Sequence, residues 1–143
     1  RFPADLATLV KGLSKEQLTT HYLAEEWSVQ RIVHHTADSH MNAFIRLKLI
    51  LTASEPTLVG YDQDKWSMLP DVDLPIQVSL QLLDALHQRW CVIWDSIQDS
   101  EWMKTGNHTE NGRVSVEDML ITYDKHCRDH LDQLRRVLAA AGI

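Results

Sequence analysis

The chain has 143 residues, of which 44% are hydrophobic and 24% are charged, proportions typical of a folded domain rather than a disordered chain. The 20 acidic residues outnumber the 14 basic ones and give a formal charge of -6, which excludes the basic surface that nucleic-acid binding requires. No run of about 18 apolar residues, secretory signal or CxxC pair is present, so we expect one domain over residues 1–143 in a reducing cytoplasm, without a membrane partner.

The first half of the chain predicts two helices. One runs from about Ala4 to His21, and Gly12 is a candidate break because glycine weakens a helix interior. The second begins with Ser28, a good N-cap residue, and continues to about Thr52. Its apolar residues recur at steps of three and four: Val29, Ile32, Val33, Phe44, Leu47 and Leu51. A helix of this length suits a helical bundle.

The second half predicts two more helices. One starts near Pro75, a residue favoured in the first turn, and its apolar stripe extends to Ile97. The other opens with Ser115, where Asp118 replaces the usual Glu or Gln of a capping box, and ends near Gly142. Its inner face combines apolar and polar residues: Met119, Tyr123, His126, His130, Leu134 and Val137. Four helices therefore predict an all-α bundle.

Two connections separate these helices. The segment from Thr52 to Asp73 is long for a compact domain, so we expect it to cover a site. In it, Tyr61 and Trp66 either line the entrance or simply anchor the loop. Residues 105–113 contain an Asn-Gly pair and predict a tight turn or a small hairpin.

Two histidines on the fourth predicted helix, His126 and His130, are candidate metal ligands. Side chains four residues apart share a helical face, with Cβ atoms about 5–6 Å apart, so both rings can reach one ion. Both rings lie on the inward stripe, where a buried imidazole needs a partner. A tyrosine, an aspartate or a backbone carbonyl could be that partner instead of a metal. Cys127 stands where an HExxH protease has glutamate, and its side chain points to another face, which favours packing over metal ligation.

A polar strip on the second predicted helix supplies further candidates. His35, Asp38 and Asn42 share one face at steps of three and four. Polar groups on a helix otherwise suited to burial need a partner or an ion, so the strip is a candidate site. The alternatives are a buried hydrogen-bond network or a face turned toward solvent.

The stretch from Glu26 to Lys48, which begins Glu-Trp-Ser-Val-Gln-Arg-Ile-Val-His-His, resembles the YfiT-like branch of the DinB superfamily. The resemblance continues, in the order of that family, through Tyr61-Asp with Trp66, residues 83–90, residues 112–115 and the final HxxxH. It covers nearly the whole chain. It implies a four-helix bundle with up-down-down-up topology and one long loop between the second and third helices.

The resemblance also implies a metal site. In that family one ligand lies eight residues after the helix-opening tryptophan, which is His35 here, and the HxxxH pair supplies the others, His126 and His130. His34 and His40 do not match ligand positions and are expected to pack or hydrogen bond. Three neutral imidazoles leave coordination positions open for water or substrate, and we expect one divalent ion per chain, with zinc as the best fit and nickel as the alternative.

Proteins of this kind are described as metal-dependent hydrolases, and related members transfer low-molecular-weight thiols such as bacillithiol. Both activities use a metal-activated water or thiol as nucleophile toward a small-molecule substrate. We hypothesise that Asp38 accepts a hydrogen bond from a ligand N–H or acts as base, and that Asn42 orients substrate. The alternative is a non-catalytic, metal-stabilised helical module for binding or stress response. The resemblance further suggests a homodimer.

The remaining histidines are assigned structural or surface positions. His87 falls on the apolar face of the third predicted helix, where a core histidine is favoured over a fourth metal ligand. His21 and His108 lie near the ends of predicted segments and are expected to be exposed.

Overall fold

Helices form most of the structure, a computed structural model that describes residues 1–143. The elements in chain order are α1 (Phe2–Leu9), α2 (Lys15–Thr19), α3 (Val29–Thr52), β1 (Thr57–Leu58), α4 (Gln63–Trp66), α5 (Gln77–Ser96), β2 (Thr105–His108), β3 (Gly112–Ser115) and α6 (Val116–Ala140). Short 3-10 turns occupy Pro70–Asp73 and Asp99–Glu101. No helix is both long enough and apolar enough to cross a bilayer.

Local sequence determines where the helices begin and end. The Ser28 hydroxyl accepts a hydrogen bond from the backbone N–H of Arg31 at 3.4 Å and starts α3. Ser115 and Asp118 form a reciprocal capping box at the start of α6, with bonds of 3.0 and 2.9 Å. Gly12 adopts a φ of +77° and divides the first predicted helix into α1 and α2. These predicted boundaries are confirmed.

The helices pack as a four-helix bundle, as predicted. Helix α3 packs against α5 and α6, and α1 packs against the same two helices, which places α1 and α3 diagonally opposite one another. Helix α2 covers the outside of α3. The residues at the centre of these contacts are almost fully buried, and each such aliphatic side chain contributes roughly 1.5–3 kcal/mol to folding.

The core consists of two apolar clusters with histidines between them. One cluster joins α1 to the first half of α3 and the last turns of α6, and it includes Leu6, Ile32 and Leu134. The other joins the second half of α3 to α5, β1 and the first turns of α6, and it includes Leu47 and Trp90. The intervening turns carry five histidines: His35, His40, His87, His126 and His130. The bundle therefore contains a polar layer at mid-height.

A three-stranded sheet, absent from the all-α prediction, lies beside the bundle in the order β1-β2-β3. Strands β2 and β3 form an antiparallel hairpin, which confirms the predicted turn. Strand β1 belongs to the long segment after α3 and pairs in parallel with β2, with Leu58 opposite His108. Gly106 permits this close approach, since a Cβ atom there would lie 2.9 Å from Leu58 Cδ1 and 3.1 Å from the carbonyl oxygen of Pro56.

The sheet explains why one surface prediction is wrong. His108 is buried rather than exposed because β1 covers it, and its Nδ1 accepts hydrogen bonds from the backbone N–H groups of Glu110 and Asn111 at 3.2 and 3.3 Å. His21 is exposed, as predicted. Both cysteines are free thiols, and Cys127 packs against the first apolar cluster as expected.

Candidate metal centre

Three histidine rings converge where α3 and α6 cross the polar layer. One ring nitrogen of each of His35, His126 and His130 lies within 4.8 Å of the others. The Nε2 atoms of His126 and His130 are 3.1 Å apart. Tetrahedral zinc with bonds of about 2.0–2.1 Å places its ligand nitrogens about 3.4 Å apart. Small ring rotations therefore suffice to bring all three nitrogens onto one ion.

The ring of His35 packs against an aromatic side chain. Its ring is only 5% exposed and meets the edge of Trp27, with centroids 4.9 Å apart. The guanidinium of Arg31 lies 4.7 Å above Trp27 and fixes the indole in turn. No protein group hydrogen bonds to either ring nitrogen of His35, unlike the ring nitrogens of His126 and His130. The ring nitrogens of His35 are therefore free to bind an ion.

A chain of side chains fixes the tautomer of His130. Arg136 Nη2 donates to Glu26 Oε1 at 2.8 Å, and Gln133 Nε2 donates to Glu26 Oε2 at 2.5 Å. Because an ionised carboxylate only accepts, the amide nitrogen of Gln133 must face Glu26 and its oxygen must face His130. His130 Nδ1 therefore donates to Gln133 Oε1 at 2.8 Å. The lone pair of His130 is left on Nε2, which faces the other two rings.

His126 is contacted on both ring nitrogens. Its Nε2 lies 3.2 Å from the hydroxyl of Ser39, and its Nδ1 lies 3.2 Å from Nε2 of His40. The Tyr123 hydroxyl donates to the backbone carbonyl of Ser39 at 3.3 Å, which ties α6 to α3 beside the cluster. His126 therefore points Nε2 toward the centre and Nδ1 into the core.

Burial keeps all three rings neutral at physiological pH. Desolvation, followed by the neighbouring His130, lowers the pKa of His35 to about 4. The same causes lower the pKa of His126 to about 3, with His35 adding to the effect. Desolvation also lowers the pKa of His130. Neutral imidazoles carry the lone pair that a metal ligand needs, so no proton has to be removed at pH 7.

Two cavities reach the cluster. The acidic cavity, about 440 Å³, is bordered by Glu25, Asp64 and Asp129 and touches all three rings. The tyrosine cavity, about 420 Å³, is bordered by Arg46, Tyr61 and Tyr123 and touches His35 and His126. Each is large enough for a small organic molecule. The cluster is therefore accessible to small molecules from both cavities.

Comparison with known proteins identifies the family of the chain. The sequence profile described as the DinB superfamily matches residues 1–134, nearly the whole chain. The chain belongs to the DinB superfamily. The solved structure of YfiT from Bacillus subtilis, titled a probable metal-dependent hydrolase with an unusual four-helix bundle topology, superposes with a TM-score of 0.93. It is 34% identical in sequence, and the match covers 99% of this chain and 82% of that one. The predicted resemblance to the YfiT-like group is confirmed.

Sequence relatives of this DinB superfamily protein bear names of the same kind. A protein of Bacillus mycoides named "Putative metal-dependent hydrolase" is 42% identical over 128 residues, which are 90% of this chain and 74% of that protein. A protein of Oceanobacillus iheyensis with the same description is 41% identical over 129 residues, 90% of this chain and 75% of its own length.

Asp38 and Asn42, the other predicted site residues of this DinB protein, lie one turn and two turns along α3 from His35. Burial, with the charge of Asp71, raises the pKa of the half-buried Asp38 to about 6. The amide of Asn42 donates to the backbone carbonyl of Asp38 at 2.9 Å. Neither side chain borders the acidic or the tyrosine cavity, and no hydrogen bond joins the Asp38 carboxylate to the three rings. Their roles stay predictions.

The long segment between α3 and α5, expected from its length to cover a site, contributes residues 60–64 to the walls of the two cavities. Tyr61 borders the tyrosine cavity. Trp66 does not border either cavity and instead packs on Tyr61, with ring centroids 4.3 Å apart. Tyr61 thus fits the entrance interpretation, and Trp66 fits the anchoring one.

Of the histidines set aside as non-ligands, His40 contacts His126, and the other two hydrogen bond away from the cluster. His34 contacts Ser79 Oγ at 2.7 Å and the carbonyl oxygen of Leu74 at 3.0 Å, and His87 contacts His40 at 2.7 Å. Neither belongs to the converging cluster.

Sequence reasoning missed the groups that contact the rings from outside. Gln133 lies three residues after His130, a spacing that could have been read from the sequence. The contacts of Ser39 and Glu26 arise from the packing of separate segments, which no local pattern reveals. His40 was expected to pack or hydrogen bond, but its partners His126 and His87 were not predicted.

Proposed function

We propose that this protein is a divalent-metal-dependent hydrolase whose ion is held by His35, His126 and His130. The observation that carries this proposal is the ring of His35, which is 5% exposed, has no hydrogen-bond partner and faces two other neutral imidazoles. The three rings also border the acidic cavity together, which is the arrangement required of an ion that substrate can reach. The names of the relatives support the proposal.

The chemistry of the donor set fits a divalent transition metal. Three neutral nitrogen ligands match a catalytic zinc site, in which further coordination positions stay open. Nickel binds imidazole as well, and ligand type alone does not separate the two ions. When bound, such an ion acts as a Lewis acid that lowers the pKa of a water or thiol and polarises the electrophile.

Side chains of the tyrosine cavity are placed to bind the electrophile. Burial raises the pKa of Tyr61 to about 12, so its phenol stays protonated and can donate a hydrogen bond, whereas the Tyr123 hydroxyl already donates to the Ser39 carbonyl. Arg46 adds a positive charge, held by a bond from Nη2 to the carbonyl oxygen of Val59 at 2.5 Å. Together these donors suit the carbonyl or phosphoryl oxygen of an ester, amide or phosphate substrate.

Carboxylates are available as proton acceptors. Burial, with the charge of Asp71, raises the pKa of Asp38 to about 6, which suits a general base near neutral pH, although the side chain does not border either cavity. Glu25 and Asp64 border the acidic cavity and can accept a proton from a nucleophile that enters there. A low-molecular-weight thiol entering by the same route would make the protein an S-transferase instead.

Metal analysis of matched variants tests the site. Purified wild-type protein should contain close to one transition-metal ion per chain, and His35→Ala should lose it. His34→Ala is the matched control, because His34 is the adjacent histidine and hydrogen bonds to Ser79 and Leu74 instead. Equal metal content in wild type and His35→Ala would contradict the assigned ligands.

Turnover assays test the activity. Metal-loaded protein is expected to hydrolyse members of an ester, amide and phosphate panel, and chelation should abolish the activity. Turnover that requires an added thiol would identify an S-transferase. A metal-dependent rise in melting temperature with no turnover on either panel would favour the non-catalytic module.

A further inference from the structure

His40 links the metal centre to a third helix. Its ring is completely buried, and its two nitrogens face two other histidines. His40 Nε2 lies 3.2 Å from Nδ1 of His126 on α6, and His40 Nδ1 lies 2.7 Å from Nε2 of His87 on α5. Three rings from α6, α3 and α5 thus form a continuous chain through the core.

Metal binding by His126 would determine the direction of hydrogen bonding along these three histidines. A neutral imidazole donates through one nitrogen and accepts through the other. If Nε2 of His126 gives its lone pair to an ion, Nδ1 must carry the hydrogen and donate to His40 Nε2. His40 Nδ1 then carries a hydrogen and donates to His87 Nε2. Only this assignment of hydrogens allows the His126–His40 and His40–His87 hydrogen bonds together with ligation of the ion by His126 Nε2.

Apolar rings hold His40 in this position. Phe2 packs on His40 and His87 with centroid distances of 5.0 and 5.8 Å. Trp90 meets the same two rings edge-on at 5.7 and 5.5 Å. One further polar contact is the weakly bonding Sγ of Cys127, 3.9 Å from His40 Nε2. His40 therefore has two strong partners and little freedom to turn away from them.

We propose that His40 and His87 are positioning residues that hold His126 in the tautomer and orientation in which Nε2 is free to bind the ion. This inference rests on the proposed metal site and adds to it. His126 would be held by His40 and His87 in the way that Gln133 and Glu26 hold His130. Partners that orient ligand histidines typically change metal affinity about 10–100-fold when removed.

Two substitutions of His40 separate hydrogen bonding from packing. In His40→Gln, the amide oxygen can accept from His126 and the amide nitrogen can donate to His87, which reproduces the direction of the chain. In His40→Phe, the ring fills the aromatic pocket beside Phe2 and Trp90 but neither donates nor accepts. A packing role alone would favour phenylalanine over glutamine.

The measurement is the Kd for zinc, obtained by competition with a chromophoric chelator. We expect His40→Phe to raise the Kd about 10–100-fold and His40→Gln to stay closer to wild type. His34→Phe is the matched control on the same helix and should leave the Kd unchanged, because His34 hydrogen bonds outside this chain. Equal Kd values for wild type and His40→Phe would overturn the proposal.

A second measurement tests the proposal even if His40→Phe does not fold. Nitrogen-15 NMR of the zinc-loaded wild-type protein reports which nitrogen of each histidine carries hydrogen. We expect Nδ1–H on both His126 and His40, and Nε2–H on either residue would overturn the proposal. A wild-type protein that binds no ion would instead defeat the proposed function, so the two failures are distinguishable.

Discussion

The amide of Gln133 fixes the ring of His130, one turn away on α6, by accepting the hydrogen of Nδ1 at 2.8 Å. The amide is itself fixed by Glu26, whose pKa is lowered by its bond from Arg136. A residue before α3 thus determines the tautomer of a ring on α6. The orientation of this candidate ligand is built into the fold and does not depend on the ion.

Replacing Gln133 with leucine should weaken metal binding. The variant removes the acceptor for His130 Nδ1, and we expect the Kd for zinc to rise about 10–100-fold. Chelator competition measures the change. Gln88→Leu is the control, because the amide of Gln88 bonds only to Asp84 on the exposed side of α5. An unaltered Kd in Gln133→Leu would show that the tautomer does not need this support.

Replacing Asp38 with asparagine should stabilise the metal-free protein above about pH 6. Burial and Asp71 raise the pKa of Asp38 from 3.8 to about 6, so the folded state binds a proton that the unfolded state has released in this window. The contribution of Asp38 to wild-type stability is therefore lost as pH rises from about 4 to 6, and the variant does not have this loss. Denaturant unfolding at pH 4 and pH 7 gives the difference in unfolding free energy between variant and wild type, and a difference that is the same at both pH values would contradict the raised pKa.

The same variant tests the proposed roles of Asp38 at the site. Full turnover and full metal occupancy in Asp38→Asn would exclude its catalytic and ligand-orienting roles.

The metal-free protein should lose stability as pH falls below about 6.5. Burial is the first cause that lowers the pKa of six histidines: His35, His40, His87, His108, His126 and His130. Between pH 6.5 and about 4, unfolded chains bind protons on these rings that the folded state excludes, so acid favours unfolding. Thermal melts at pH 7, 6 and 5 measure the slope. His87→Gln should flatten it, whereas substitution of the exposed His21 should not, and identical slopes for the two variants would refute this explanation.

Replacing Gly106 with alanine should loosen the sheet that borders the tyrosine cavity. The added Cβ would lie 2.9 Å from Leu58 Cδ1 and 3.1 Å from a backbone oxygen, so β1 and β2 must separate. We expect a loss of about 1–3 kcal/mol in the free energy of unfolding. Denaturant titration measures it, and Asn107→Ala at the exposed neighbouring position is the control. Equal stability of the two variants would mean that the strands can shift freely.

Local patterns in the sequence predicted much of the fold. Ser28, Ser115 and Gly12 act through their own neighbours, so the helix boundaries followed from capping and glycine rules. The four-residue spacing of His126 and His130 guaranteed a shared face. The polar strip on the second predicted helix made His35 a candidate, the family resemblance identified it as the third ligand, and the structure places it beside the pair.

What could not be predicted depends on contacts between distant segments. The parallel pairing of β1 with β2 joins residues far apart in the chain, and it buries His108 against the expectation of exposure. The contact between His40 and His87 likewise arises from the packing of α3 on α5. Hydrophobic periodicity shows that a face is buried, but it does not show which polar groups meet there.

The separation along the chain between α3 and α6 has a further consequence. A cation shared by His35 and the HxxxH pair would act as a reversible cross-link that closes a loop spanning most of the polypeptide. Closing a long loop restricts the unfolded ensemble more than closing a short one, as with a disulfide. Loading the ion would therefore slow or oppose global opening of the bundle, even at positions far from the three rings.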